Sequence, residues 1–523
     1  MPPAQIAAIR AEGLSHGQAA TIATDLADGI GGRLTWSPNL ERANRWAERQ
    51  LAGIGLGNVH REPIAERGLS WRQETVWLRM TAPDSMMVVA QAAPWSVGSQ
   101  GDQQGEAVVA SIATVDDFAQ YRGRLAGKVV LLGDPRAPIL SDTPLAQRLQ
   151  SEADVEAALA PIRRYFTIRP DRLKKFATDG DFRAKLGAFL AAERPAMVVT
   201  ASRALPHGGD SGLLTVDEPP LPARGQAWRP GQRVPFPILI AEPEAYNRMA
   251  RLAQGGVPVS LAWRIDVAEQ GAGSAANIVA EMPGTDRRLS REVVVVGAHL
   301  DSWAAGTGAT DNGAGVAMVI EAMRLLRHAG VQPRRTIRVV LYAGEEQGLL
   351  GAQSYAETHL GRVPRSQSSE QAAIPVESWR APVGPLAALP EWRRVAAVFN
   401  VDGGSGRMRG VFTGGNNPAM AARVRDWLAP LADLGGARVF DESNWPADQW
   451  VFSSIGLPTL SFLQDPLDYD SRAHHTNMDM AERLVPADLA INAVTLATLI
   501  AQAATDDERL PRPPLSPVQE TGR

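Results

Sequence analysis

The sequence predicts an α/β protein, a doubly wound and mostly parallel sheet interrupted by an inserted, largely β module. Three observations carry this reading. Val293-Val294-Val295-Val296 is a continuous apolar run, as in a parallel strand buried on both faces. From residue 292 onward, short apolar runs alternate with segments of helical spacing, the pattern of strands joined by helices. Between residues 70 and 135 the texture is instead one of short apolar runs bounded by Gly and Pro, which reads as one strand after another.

Taken in order, residues 15–51 have mostly helical spacing, with Gly31-Gly32 and Ser37-Pro38 marking a turn and Asn39 as the cap of the helix that follows. Runs at 86–90, 106–111 and 128–132 are strands, 144–190 is helical, and 196–200, 236–241 and 259–263 are strands again. Beyond 292 come a helix over 313–328, a strand over 337–342, a helix over 349–359, and strands over 395–401 and 458–463. Residues 489–504 read as a terminal amphipathic helix too short to span a bilayer. The implied division is a discontinuous catalytic domain (1–90 and 267–510), an insert (91–266) and a flexible tail (511–523). The first 90 residues are expected to pack on the later sheet. Residues 361–394, with five prolines, read as a surface insertion.

With 523 residues the chain is long enough for two or three domains. Apolar residues make up 45% and charged residues 21%, as in a soluble globular protein. A net charge of -4 argues against a nucleic-acid partner. No transmembrane anchor is expected, and the first 30 residues lack a signal-peptide apolar run, so either the protein is cytoplasmic or a leader has been trimmed. There is no cysteine, so any metal must be held by His, Asp and Glu.

Clusters of such residues fall at predicted strand ends, where open α/β sheets place their ligand crevices. Gly297-Ala298-His299-Leu300-Asp301-Ser302 offers an imidazole ligand in His299, with Asp301 placed to fix the ring. In Thr310-Asp311-Asn312-Gly313, the Asp311 carboxylate has two oxygens and can bridge two cations. Glu345-Glu346 puts adjacent carboxylates in a turn, which suits one ligand and one base. Asp402 ends the next strand, and His474-His475-Thr476-Asn477-Met478-Asp479 supplies a last imidazole, with Asp479 to orient it. Alone, each cluster has an ordinary structural reading; together they form an ordered His, Asp, Glu, Asp, His set. His16, His60, His207, His328 and His359 keep the ordinary reading. Neither a GxxxxGK[ST] loop nor a GxSxG elbow is present.

These motifs, with Asn39-Leu40-Glu41 and the stretch 235–280, resemble the co-catalytic zinc aminopeptidase and glutamate carboxypeptidase superfamily. His299-Leu300-Asp301-Ser302-Trp303 and Glu345-Glu346-Gln347-Gly348 follow the plasma glutamate carboxypeptidase-like subgroup. The resemblance implies two zinc ions per chain bridged by Asp311, one also held by His299 and Asp402, the other by Glu346 and His475. It implies Glu345 as general base and Asp301 as a catalytic-site residue, and places Asp448 near the metals through its likeness to a Ser-Asp-His segment. It further implies exopeptidase action on dipeptides or short peptides with a free N-terminus, a protease-associated domain over the site, a homodimer, and export with the leader absent from this chain. His475 is preferred to His474 because it alone sits in the family's His-Thr-x-x-Asp frame. Two other classes are weighed: a single-zinc acyl transferase of the glutaminyl-cyclase type, and a catalytically silent receptor or scaffold.

Overall fold

The computed structural model describes residues 1–136, 146–205, 212–217, 219–222, 225, 227–368, 374 and 379–513. Two eight-stranded sheets organise them. The first runs Gly57–Pro63, Ala276–Met282, Thr336–Tyr342, Val293–His299, Val395–Asn400, Thr459–Gln464, Met408–Phe412, Arg438–Phe440. Its four central strands, from Thr336–Tyr342 to Thr459–Gln464, are parallel. The sheet as a whole is mixed, because Ala276–Met282, Gly57–Pro63 and Met408–Phe412 pair antiparallel to their inner neighbours. Those three strands and Arg438–Phe440 escaped the sequence reading: they are short edge or near-edge pieces, some carrying polar residues that blur the apolar signal.

The valine run shows why the central strands are apolar throughout. Val294 and Val296 enter one core, with the helices Ala314–His328 and Pro486–Thr505, while Val293 and Val295 enter another, with Tyr355 and Phe452 from Leu350–His359 and Asp448–Ser454. Helices therefore cover both faces, as doubly wound sheets require. Pro486–Thr505 is longer than predicted and buried nearly all round rather than amphipathic. Its Asn492 is satisfied there, accepting from the Met408 N-H and donating to the Gly406 carbonyl. At the other end of the chain, the helix Pro38–Gly53 is capped by Ser37, whose Oγ accepts from the Leu40 N-H, and not by Asn39. Pro38 explains the shift: its fixed φ suits the first helical position, leaving the preceding residue as the cap.

The second sheet moves the predicted boundaries. Its order is Met86–Val88, Gly68–Ala82, Ser260–Gly273, Gln103–Ala110, Val129–Leu132, Met197–Ala201, Ile238–Ala241, Ala90–Ala92. Gly68–Ala82 and Ser260–Gly273 form one long antiparallel pair inside this unit, so it spans residues 68–273 rather than 91–266. Of the first 63 residues, Gly57–Pro63 joins the first sheet and Pro38–Gly53 packs on it, while Pro3–His16 and Ala19–Ile30 pack on its covering helices Ala314–His328 and Pro486–Thr505; residues 68–92 do not belong to that sheet. The unit is also α/β rather than simply β. Four of its strands are parallel, and a 42-residue helix, Glu152–Glu193, forms one of the crossovers. The expected tail begins later than 511, since Leu510 is buried and the Arg512 guanidinium lies 3.9 Å from the Trp392 ring centroid; residues 514–523 lie outside the described residues.

The surface insertion is anchored at both ends, while its residues 369–373 and 375–378 lie outside the described residues. Gly361–Arg362 pairs with Ala387–Ala388, and His359 bonds Glu62 of the edge strand at 2.9 Å and approaches Glu391 at 3.6 Å. Glu391 and Glu62 raise the His359 pKa to about 9, against the lowering effect of burial. A histidine whose folded pKa is raised contributes stability that is full below its unfolded value of about 6.5 and is lost as pH climbs through the folded value. His359→Gln should therefore lower the melting temperature at pH 6 and leave it unchanged at pH 10. Equal destabilisation at both pH values would refute the ion-pair account.

The two units join where the paired Gly68 and Gly273 meet Trp36. A Cβ on Gly68 would lie 2.4 Å from the buried Trp36 ring, and one on Gly273 would lie 2.9 Å from the Trp36 carbonyl oxygen. Overpacking of this kind costs about 1–3 kcal/mol. Gly68→Ala should thus lower the melting temperature, whereas Gly29→Ala, in an exposed helical position with open space around it, should hold or raise it. A neutral Gly68→Ala would show that the joint is loose.

Candidate metal centre

Parallel strands share a carboxyl edge, and on this edge the first sheet collects its titratable residues. His299 ends its strand opposite Tyr342, three residues before Glu345, and Asp402 follows the Val395–Asn400 strand. Asp311 arrives from the turn opening Ala314–His328, and His475 from the loop after Thr459–Gln464. The five residues predicted as metal ligands are brought together. One Asp311 oxygen lies 3.3 Å from His299 Nε2 and the other 3.3 Å from His475 Nε2. Glu346 is 3.1 Å from His475 Nε2, and Asp402 is 3.8 Å from His299 Nε2. His474 also reaches the cluster, 3.7 Å from Asp311, but it is 41% exposed and stacks on Tyr469.

Two overlapping groups have cation-binding spacing, and both contain Asp311. His299, Asp311 and Glu346 form one; Asp311, His474 and His475 form the other, each with ligand atoms within 4.8 Å of one another. The donor set fits hard or borderline divalent cations, since it offers imidazole nitrogens and carboxylate oxygens and no thiolate. Unmet bonding capacity points the same way: among the described residues, Glu346 Oε1 and both Asp448 oxygens are buried without a hydrogen-bond partner.

The supporting bonds differ from those predicted. His299 Nδ1 donates to the main-chain carbonyl of Asp301 at 3.0 Å, leaving Nε2 to face Asp311. The Asp301 carboxylate, 3.7 Å from that nitrogen, instead accepts from Thr35 Oγ1 and from the N-H groups of Glu345 and Glu346, so it fixes the glutamate turn. Asp479 does not orient His475. It accepts from the Thr310 hydroxyl and from the N-H groups of Thr310 and Asp311, and so holds the Asp311 turn. The next residue, Asn312, follows a cis peptide and donates to the Val401 carbonyl.

Burial and charge pull against each other here. Burial, with Glu346, Asp402 and Asp448 nearby, pushes the Glu345 carboxyl well above its ordinary range despite the opposing pull of His299. Asp402 and Asp479 are each raised to about 6, mainly by burial, and Asp448 is raised well above the usual range for the same reason. Asp311 goes the other way, because His299 and His475 outweigh its burial. Both histidines are held well above their ordinary value: the carboxylates around them overcome the lowering effect of burial. The cluster is short of positive charge.

Three contributors were not anticipated from the sequence. Arg33 is fully buried and donates to the carbonyls of Leu300, Thr307 and Gly308, which locks the loop carrying Asp301. Burial lowers its pKa to about 10, with Asp479, Asp301, Asp311 and Glu346 opposing the drop. Its signal was an arginine beside the apolar stretch Leu34-Thr35-Trp36, a place where charge is rarely left unpaired. Thr35 holds Asp301, as above. Asp217, from the second unit, faces His475 Nδ1 at 3.8 Å; no local pattern marks it. The histidines given the ordinary reading stay outside the cluster: His16 and His328 pair with Glu12, His60 and His359 with Glu62, and His207 lies outside the described residues.

Comparison with known proteins agrees with this geometry. Residues 277–500 match the model of peptidase family M28. The chain is 26% identical to carboxypeptidase Q of Bos taurus over 93% of its own length and 85% of the relative's, and 25% identical to that of Homo sapiens with the same coverage. Its fold is similar to that of a peptidase M28 precursor from Shewanella amazonensis SB2B, with a TM-score of 0.65, 22% identity and coverage of 98% and 99% of the two chains. BSAP, a zinc aminopeptidase from Bacillus subtilis, gives a TM-score of 0.56 at 16% identity, covering 94% and 95%. The chain therefore carries a peptidase family M28 domain at residues 277–500 and is a metallopeptidase.

Proposed function

We propose that this metallopeptidase is an exopeptidase that hydrolyses dipeptides or short peptides with a free N-terminus, using two zinc ions and a glutamate base. The observation that carries it is Asp311, whose two oxygens each face a different imidazole at 3.3 Å, the arrangement of a bridging carboxylate. His299 and Asp402 complete one ligand set, and Glu346 and His475 the other. His475 is preferred to His474 because it also meets Glu346 and is far less exposed. The likeness in fold to BSAP, itself a zinc aminopeptidase, and the carboxypeptidase Q relatives support both the metal and the peptide substrate. We read residues 68–273 as a protease-associated type of domain lying beside the site, and the protein as an exported homodimer, in keeping with the resemblance.

Bound zinc supplies Lewis acidity, lowering the pKa of water and polarising the scissile carbonyl. The residues of the chain do the rest. Glu345 sits beside Glu346 with its backbone held by Asp301. It takes the proton of the attacking water and delivers it to the leaving amine. Asp301 holds the glutamate turn and Asp479 the Asp311 turn, so neither turn must reorganise during the reaction.

Glu345→Gln keeps size and hydrogen bonding but deletes the proton acceptor, so kcat should fall by roughly 10² to 10⁴ while zinc content stays at two per chain. Glu346→Gln should lose activity together with one zinc. Elemental analysis and initial rates on one dipeptide check both, and near-normal kcat in Glu345→Gln would reverse the assignment. One tightly held zinc in the wild type would instead favour the single-zinc acyl transferase.

Substrate class is tested with a panel of dipeptides, each free and N-blocked. The free forms should be cleaved and the blocked forms spared. Equal rates on both would remove the requirement for a free N-terminus.

A further inference from the structure

The two histidines of the cluster are held differently. His299 is fixed within its own loop by the Asp301 carbonyl, whereas His475 Nδ1 is buried and has no hydrogen-bond partner among the described residues. A ligand histidine needs its second nitrogen engaged, because that bond sets the tautomer and makes the ligating nitrogen more basic. The carboxylate facing His475 Nδ1 belongs to the second unit: it is Asp217, at 3.8 Å.

Residues 213–217 are placed there from both sides. Toward the second sheet, Ser202 Oγ donates to the Leu213 carbonyl at 3.0 Å and accepts from the Thr215 N-H at 3.2 Å, and Thr215 Oγ1 donates to the Arg203 carbonyl at 3.2 Å. Toward the metal cluster, the segment forms an antiparallel bridge between Thr215 and Thr476. The Val216 N-H donates to the His475 carbonyl at 2.8 Å, and the Asn477 N-H donates to that of Leu214 at 3.0 Å. The Asn477 side chain accepts from the Leu214 N-H at 3.0 Å. His475 itself has φ of 61°, a left-handed conformation that is strained for a non-glycine residue and so needs support from outside. Asp217 is in turn oriented by Arg203, whose Nε and Nη2 both lie 2.9 Å from the same oxygen that faces His475.

We propose that Asp217 is a positioning residue of the metal centre, supplied by the second unit: it accepts the His475 Nδ1 proton, presents Nε2 to the cation, and makes retention of that cation depend on the docking of residues 213–217. This rests on the reading of His475 as a ligand. The second unit is then part of the metal centre, not only a cover for it.

The test is zinc affinity, measured by chelator competition on the full-length protein, for the wild type, His475→Ala, Asp217→Asn, Asp217→Ala and Arg203→Met. His475→Ala should bind one zinc fewer. Asp217→Asn, nearly isosteric, should keep the apo melting temperature and weaken that same zinc by about 10- to 100-fold, the usual cost of losing such a partner. In the cobalt-substituted protein, Asp217→Asn should shift the d-d spectrum of one ion. Arg203→Met leaves the carboxylate but removes the group that orients it, and should weaken the same zinc by clearly less than Asp217→Asn does. Wild-type affinity in both Asp217 variants, with one zinc still lost in His475→Ala, would overturn the proposal and leave the ligand reading intact. Equal weakening in Arg203→Met and Asp217→Asn would assign the pair a merely structural role and also overturn it. Retention of both zinc ions by His475→Ala would defeat the ligand reading itself.

Discussion

Carboxylates collect in a protein interior only when something offsets the loss of their hydration. At the carboxyl edge of the first sheet, Asp301, Asp311, Glu345, Glu346, Asp402, Asp448 and Asp479 converge, with Arg33, His299 and His475 as the compensating groups. The upward pull on Glu345, Asp402 and Asp448 is the electrostatic expression of that imbalance, and divalent cations are the natural remedy. Much of the surrounding architecture serves to hold this arrangement. Arg33 ties down three carbonyls of the loop after His299, Asp301 ties the glutamate turn, and Asp479 ties the Asp311 turn.

The second unit is braced against the first along its length. The helix Glu152–Glu193 packs Val155, Leu159 and Ile162 against Phe412 and Leu463 of the first sheet, while Leu186, Phe189 and Leu190 near its other end join the core of the second. Arg148, just before it, pairs with the buried Asp465 and Asp488. A row of tryptophans continues the contact inward: Trp228 on Trp36, Trp36 by Trp95, Trp95 by Trp303, and Trp303 by His475, with ring centroids 4.6 to 6.3 Å apart. Opening the two units as rigid bodies would break, at once, the contacts that cross between them: those of Val155, Leu159 and Ile162, those of Arg148, and those of Trp228 and Trp95 with Trp36 and of Trp95 with Trp303. The close approach of Gly68 and Gly273 to Trp36 makes the joint stiff where a flexible lid would need a hinge.

Local pattern revealed the central strands, the helices between them and the five residues that cluster at the sheet edge, because those features are written in short stretches. Four valines buried on two faces need no knowledge of the partner strands, and a carboxylate at a strand end is visible from the strand alone. The roles of supporting residues were harder to read. Sequence neighbours point Asp301 and Asp479 at histidine rings, whereas the groups that they bond lie on other elements. Edge strands such as Arg438–Phe440, and the 68–273 extent of the second unit, depend on pairings between distant segments that no local period records.

The sequence by itself determined the chemistry: without cysteine, and with His, Asp and Glu at successive strand ends, the chain could build only an imidazole and carboxylate centre. Tertiary structure decided what completes that centre. Arg33 comes from a loop near the N-terminus, 266 or more residues before the cluster it locks, and Asp217 from another unit, 258 residues before His475. Contacts of that range arise from how the two sheets dock, which is a property of packed surfaces and not of any stretch of sequence.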